Sequence, residues 1–235
     1  MTPDVMLEAL RFGGAGPKAP RRESDLGRFG LGLKTASLSQ ARRLTLCSKA
    51  AGAAYAMRWD LDHVMQGDGR WEVLEGFAVG SEHYAAQLDQ LPSGTLVLWE
   101  LVDFGRDRER VDEAVFRSEL ASLAAHLGMV FHRFIERGAL RIRLGAMDVN
   151  AWDPFLETQK PSSTEVGADR IRTAAGDVLV AGFVMPHRDR FSNDREFERA
   201  GGPDGWHAHQ GFHIYRGNRI VVSGGWLRLG HGKAW

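Results

Sequence analysis

The sequence predicts a mixed α/β fold in two parts, and three observations support it. Paired strand patterns, RLTLCSKA and AAYAMRWDL, flank a turn signal at Ala51 and Gly52. A long helical pattern follows over residues 112–137 and leads into a second series of strand patterns. The charged segment FGRDRER just before that helix is linker-like. We therefore expect one domain over residues 1–105 and a second over residues 106–235.

The elements of the first part are predicted in order. MTPDVMLEALRF has apolar residues at helical spacing behind Pro3, which favours a helix at the start. Residues 13–25, GGAGPKAPRRESD, hold glycine, proline and charge without apolar anchors and predict a mobile loop. A second helix is expected from the glycine cluster DLGRFGLG to about Gln40. After the first strand pair, WEVLEGFAV is strand-like, and SGTLVLWEL predicts a buried strand.

The second part continues with strand patterns. DRIRTAAGDVLVAGFVM predicts a strand pair that turns at residues 175–177, and GFHIYRGNRIVVSGG predicts one that turns at Gly217 and Asn218. The segment between them, DRFSNDREFERAGGPDGW, predicts a long loop. His207, His209 and His213 suggest zinc, but no cysteine or nearby carboxylate completes a structural site. We interpret them as loop and strand-edge histidines and predict no metal site from residues in this chain.

Composition restricts the class of protein. The formal net charge is zero, so overall charge gives no argument for nucleic acid or an anionic membrane. No stretch approaches the roughly 18 apolar residues of a membrane span, and no signal peptide is recognisable. The single cysteine, Cys47, cannot form an internal disulfide and is expected to be a buried strand thiol in a cytoplasmic protein. The first fifty residues differ from the average, with nine basic and four acidic side chains, a local charge of +5.

The stretch LGRFGLGLKTASLSQ places three glycines directly before a helix. Ordered glycines cost conformational entropy, and a cluster at a helix N-terminus commonly lets main-chain N–H groups approach an anion, for which phosphate is the leading candidate. Gly27 and Gly32 have the separation of a Walker A loop, but Leu33 is inserted before Lys34 and Thr35. One inserted residue rotates the lysine by about 100° around the helix. A dinucleotide fingerprint also fails, because Thr35 occupies the place of its third glycine.

The pattern Gly-x-x-Gly-x-Gly-Leu-Lys after a flexible loop resembles the second glycine box of the GHKL ATPases, which include gyrase B, MutL, a heat-shock chaperone, histidine kinases and MORC proteins. The closest resemblance is to prokaryotic members known only as ATP-binding proteins. It implies a two-layer α/β (α+β) sandwich of Bergerat type with a lid over residues 13–26 and a glycine box over residues 27–35. The residues implied to contact the nucleotide in this box are Gly27, Arg28, Phe29, Gly30, Leu31, Gly32, Leu33, Lys34 and Thr35.

Two further positions carry the resemblance. Gly94 and Thr95 match the Gly-Thr pair whose threonine helps to hold adenine, and Met1 matches the methionine that closes the preceding box. The family's general base, its magnesium-binding Asn and its adenine-binding Asp would then precede residue 1. The resemblance thus implies an incomplete ATPase domain with no catalytic residue in this chain, followed by a transducer-like α+β domain over residues 106–235 that is possibly incomplete too.

The resemblance implies ATP and Mg²⁺ as ligands, with hydrolysis coupled to conformational change or dimerisation. A homodimer is one implied partner, and DNA is suggested by analogy alone. Two alternatives stay open: a nucleotide-binding or regulatory module without catalysis, and a non-functional fragment from a misplaced start. The sequence does not identify what the ATPase cycle acts on.

Overall fold

The computed structural model describes residues 1–12, 26–27, 30–67, 70–103, 112–174 and 176–227. The chain forms two compact units, Met1–Val111 and Asp112–Trp235. The predicted loop over residues 13–25 lies outside the described residues, and so do Arg28 and Phe29 of the glycine box. In the part of the chain that is described, no helix has the length and apolar character needed to cross a membrane.

The first unit is built on an antiparallel sheet with the strand order β3-β2-β1-β4. Its elements in chain order are α1 (Pro3–Leu10), α2 (Gly32–Leu38), β1 (Ala41–Ala50), β2 (Ala53–Asp60), α3 (Leu61–Gln66), β3 (Leu74–Glu75), a 3₁₀ turn (Glu82–Leu88) and β4 (Gly94–Val102). The predicted hairpin of β1 and β2 is confirmed: Ala51 and Gly52 both have positive φ and form the turn. The strand expected in WEVLEGFAV is reduced to the two residues of β3.

The core of this unit lies between the sheet and the helices. Leu44 and Leu46 alternate along β1 onto one face, where Met6 and Leu10 of α1 and Trp59 of β2 pack against them. The opposite face of β1 contains Cys47, which is 2% exposed, so the predicted buried thiol is confirmed and burial raises its pKa. The mixed α/β fold with helices on an antiparallel sheet is therefore the fold that the sequence predicts for this part.

The buried strand predicted in SGTLVLWEL is wrong in one respect. The strand exists as β4, but Val97 and Trp99, which pair with Leu46 and Leu44 and so share their face, are each 44% exposed. Strand β4 lies at the edge of the sheet, beyond the strands over which α1 and α2 pack. The apolar composition of β4 therefore indicates a strand, whereas the burial of that strand depends on how far the helices extend over the sheet.

The second unit combines a long helix with short strand pairs. Its elements are α4 (Glu113–Val130), α5 (His132–Glu136), β5 (Arg143–Leu144), β6 (Met147–Asp148), β7 (Thr164–Thr173), β8 (Gly176–Val184), a 3₁₀ turn (Arg188–Arg190), α6 (Asp194–Ala200), a 3₁₀ turn (Trp206–His209), β9 (Ile214–Arg216) and β10 (Arg219–Val222). The predicted long helix is confirmed, with a break at Phe131 between α4 and α5. The two predicted strand pairs are confirmed as the β7–β8 and β9–β10 hairpins.

One local prediction in this unit is wrong. The segment expected to be a long loop contains α6, because Asn193 caps its N-terminus by accepting from the Glu196 N–H at 2.9 Å, while Glu196 accepts from the Ser192 N–H at 3.0 Å. His207 and His209 lie in a 3₁₀ turn, which agrees with the interpretation of these two residues as loop histidines.

A buried cluster of polar side chains connects α5 to β9. His132 is 1% exposed, and its Nε2 lies 2.8 Å from the hydroxyl of Tyr215. On the other side of the ring, Nδ1 lies 3.6 Å from a carboxylate oxygen of Glu136 and 3.9 Å from one of Asp153, without a hydrogen bond in the described structure. Burial lowers the pKa of His132 to about 4, although the Asp153 carboxylate opposes this shift. His132 is therefore a neutral imidazole at neutral pH.

Candidate functional site

The described part of the glycine box presents an open outer surface. Gly30 has φ of +65°, a left-handed conformation that side chains rarely adopt, and Gly32 begins α2. A Cβ built on Gly32 would meet no atom of the described residues within 4 Å. Leu31 and Leu33 are also exposed, at 37% and 39%. The backbone from residue 30 to residue 33 is thus accessible to a ligand from outside the helical layer.

The side chains of Lys34 and Thr35 bond to the protein's own main chain. Lys34 is 2% exposed, and its ammonium donates to the carbonyls of Gly30 at 2.5 Å and Ala9 at 2.7 Å. Burial lowers its pKa, and the nearby carboxylate of Glu8 opposes that shift. The hydroxyl of Thr35 donates to the Leu31 carbonyl at 3.0 Å. Lys34 therefore connects the glycine box to the C-terminal end of α1, and its ammonium does not point away from the protein.

Replacing Lys34 with methionine is expected to lower the stability of the first unit by about 1–3 kcal/mol. The aliphatic stem stays, but the carbonyls of Ala9 and Gly30 lose their donor. Lys49→Met is a matched control, since the Lys49 ammonium also donates to two carbonyls but its side chain is only half-buried and water can replace it. Urea denaturation compares the two variants. Equal stability of Lys34→Met and the wild type would contradict this role for Lys34.

The residues expected on the adenine side also come together. The main-chain nitrogen of Met1 donates to the hydroxyl oxygen of Ser48 at 2.6 Å. The same oxygen lies 3.0 Å from the hydroxyl of Thr95 and 3.1 Å from the carbonyl of Gly94. Ser48 is fully buried, whereas Thr95 is exposed. Ser48 therefore connects Met1 and Thr95 by hydrogen bonds, and sequence reasoning did not identify it as a site residue.

Sequence pattern alone gave only a weak signal for Ser48. It is the polar residue at the end of the apolar alternation LTLCS, on the face that Leu44 and Leu46 share. Its importance follows from strand pairing, because Ser48 lies directly opposite Thr95 between β1 and β4. Those two residues are 47 positions apart in the chain, so the pair requires the register of the sheet.

Helix α1 links the two parts of the site. Its N-terminal side approaches Ser48 through Met1, and its C-terminal side is bound by Lys34 through the Ala9 carbonyl. Eight helical residues rise by about 12 Å. Hydrogen bonds thus connect Gly30 to the C-terminal end of α1 through Lys34, and Thr95 to Met1, just before α1, through Ser48. Gly27 is described but belongs to a short isolated segment, residues 26–27.

No metal-binding group is formed by the residues that the structure describes, if three His, Cys, Asp or Glu side chains are required. The exposed backbone of Gly30–Gly32 lies within the first fifty residues, whose sequence has a local charge of +5.

The comparisons with known proteins identify the class of this site. Residues 1–95 match the family described as histidine kinase-, DNA gyrase B- and HSP90-like ATPase. The matched segment includes α1, the glycine box, the β1–β2 hairpin and Thr95. Residues 1–95 are therefore similar to a nucleotide-binding ATPase domain of the GHKL type. No curated protein matches the chain at a significant level.

Proposed function

We propose that the first unit binds ATP, with the triphosphate on the exposed backbone of Gly30–Gly32 and the adenine near Thr95. The observation that carries the proposal is the glycine box itself: its outer surface is open, and Lys34 fixes it to α1 from the inner side. Main-chain N–H groups at such a position suit the oxygens of a polyphosphate. Met1 and Ser48 support the adenine end by holding Thr95 in place.

Magnesium would accompany ATP by bridging its phosphates, as it does in phosphoryl-transfer enzymes generally. The described residues form no group of three His, Cys, Asp or Glu side chains that could hold the ion. The general base of the family has no counterpart among the positions that carry the resemblance. We therefore expect residues 1–235 to bind ATP without efficient turnover.

We further propose that the second unit transmits ATP binding as a conformational change or dimerisation. Its long helix α4 and its short strand pairs are the kind of elements that the resemblance implies for a transducer-like domain. Size-exclusion chromatography with light scattering, with and without a non-hydrolysable ATP analogue, tests the dimer. A nucleotide-dependent change in mass or elution supports this part of the proposal, and identical profiles contradict it.

The nucleotide site itself is tested by calorimetric titration of the 235-residue chain with ATP and Mg²⁺, combined with a phosphate-release assay. Measurable ATP binding with phosphate release reduced at least about 100-fold from that of a complete ATPase is the expected result. Absence of ATP binding by the folded chain would contradict the proposed function. Turnover that Gly32→Ala abolishes would show that a general base is present in this chain.

A further inference from the structure

Ser48 has a complete set of hydrogen-bond partners, and this fixes the orientation of the Thr95 hydroxyl. A serine hydroxyl has one proton to donate and two lone pairs that accept. The Gly94 carbonyl can only accept, so it takes the Ser48 proton at 3.1 Å. The Met1 nitrogen can only donate, so it occupies one lone pair of Ser48 at 2.6 Å. This holds for an ammonium and for an amide nitrogen alike.

One lone pair of Ser48 then remains for Thr95, at 3.0 Å. The distance alone is compatible with either hydroxyl as the donor. Because the Gly94 carbonyl accepts the Ser48 proton, we assign the donor role in this pair to Thr95. The Thr95 oxygen keeps its own lone pairs, and its side chain is exposed. The Thr95 oxygen can thus accept a hydrogen bond from a ligand that binds beside it. Such an oxygen favours a ligand with an N–H group over one with a carbonyl or a C–H group at that position.

We propose that Ser48 is a positioning residue that holds the Thr95 hydroxyl as a hydrogen-bond acceptor and so gives the site its preference for a purine with a 6-amino group. This inference rests on the proposed ATP-binding function. Ser48 itself is fully buried and does not touch the base. Ser48 orients the hydroxyl proton of Thr95 before the nucleotide binds. Binding therefore does not have to restrict the rotation of that hydroxyl group.

The inference is tested with the full chain and two nucleotides: ATP, and purine riboside triphosphate, which replaces the 6-amino group by hydrogen. The wild type is expected to bind ATP more tightly than the analogue. In Ser48→Ala this preference should fall by about three- to tenfold, the range of one net hydrogen bond. Thr95→Val should lose the preference by a similar factor. Ser48→Ala in the Thr95→Val background should cause no further loss, because both changes remove the same acceptor.

Thr45→Val is the matched control. Thr45 lies on the same strand and is equally buried, but its hydroxyl faces the other side of the sheet, towards Glu100. It should change stability without changing the preference between the two nucleotides. Circular dichroism and thermal unfolding show whether each variant folds. If Ser48→Ala does not fold, the comparison of Thr95→Val with the wild type still tests whether Thr95 sets the preference.

The outcomes separate this inference from the function on which it rests. ATP binding without a preference in the wild type, or an equal loss for both nucleotides in Ser48→Ala, would overturn the role of Ser48 and leave the proposed function standing. A folded wild-type chain that binds neither nucleotide would overturn the proposed function and this inference together.

Discussion

Replacing Gly32 with alanine is expected to weaken ATP binding by at least about 100-fold, a loss near 3 kcal/mol, without destabilising the protein. Gly32 is the first residue of α2, and its φ does not require glycine. Within the described part of the chain, a Cβ at this position meets no atom within 4 Å, so we expect the fold to accept it. The same Cβ would project into the space where the phosphates approach the backbone.

The expected stability of Gly32→Ala makes this prediction more specific, because affinity and stability should change in opposite directions. Alanine in place of glycine in a helix raises stability by up to about 1 kcal/mol when the conformation is compatible. Gly30→Ala is a less clear test because φ of +65° strains any side chain there. Gly67→Ala is the matched control in the same unit, since its Cβ makes only an ordinary contact at 3.4 Å with the His63 carbonyl. Calorimetry should show ATP affinity lost only in Gly32→Ala. Unchanged affinity in that variant would contradict the phosphate site.

Acidification is expected to destabilise the second unit by about 3 kcal/mol between pH 6.5 and pH 4. The pKa of His132 falls from 6.5 to about 4 on folding because burial disfavours the imidazolium ion. Between these pH values the unfolded chain binds a proton at His132 that the folded chain does not. The contribution of neutral His132 to the free energy of unfolding is therefore present above pH 6.5 and is lost as the pH decreases towards 4. The pKa of His213 is also lowered by burial, which adds to the effect in the same direction.

The groups around His132 define the test of this prediction. Arg133 and the neighbouring imidazole of His213 lower its pKa further, while the carboxylate of Asp153 raises it. In His132→Gln, stability at pH 7 should be lower, but its dependence on pH between 6.5 and 4 should be shallower. His187→Gln, at an exposed histidine, should keep the wild-type dependence. Hydrogen exchange of peptides from α4 and α5 at several pH values measures the effect. Identical pH profiles for His132→Gln and the wild type would contradict it.

Hairpins and the long helix were predictable because their signals are local. The turn at Gly217 and Asn218 needs two residues that tolerate positive φ, and both have it in the structure. The missed helix α6 was equally local: Asn193 caps its first turn and Glu196 accepts from the Ser192 N–H, a variant of the capping box that a search for helix starts would find. A high content of polar residues and glycine obscured it.

The remaining differences depend on tertiary structure, which periodicity does not report. Strand β4 has the composition of a buried strand, yet Val97 and Trp99 are exposed because the helices cover β1 and β2 instead. Lys34 has the sequence context of a phosphate-binding lysine, but its ammonium is bound by two carbonyls. Ser48 becomes part of the site only through strand register. Sequence pattern therefore located the glycine box and Thr95, while the contacts that position them required the fold.

The most direct test of the central claim is amide hydrogen exchange of the 235-residue chain with and without ATP and Mg²⁺. Exchange measures protection of the main-chain N–H groups that are proposed to hold the triphosphate. The predicted result is that ATP slows exchange in peptides covering residues 30–35 and residues 94–97, and that Gly32→Ala removes this protection. Bound ATP that protects other segments while exchange in residues 30–35 stays unchanged would contradict the assignment of the nucleotide to the glycine box.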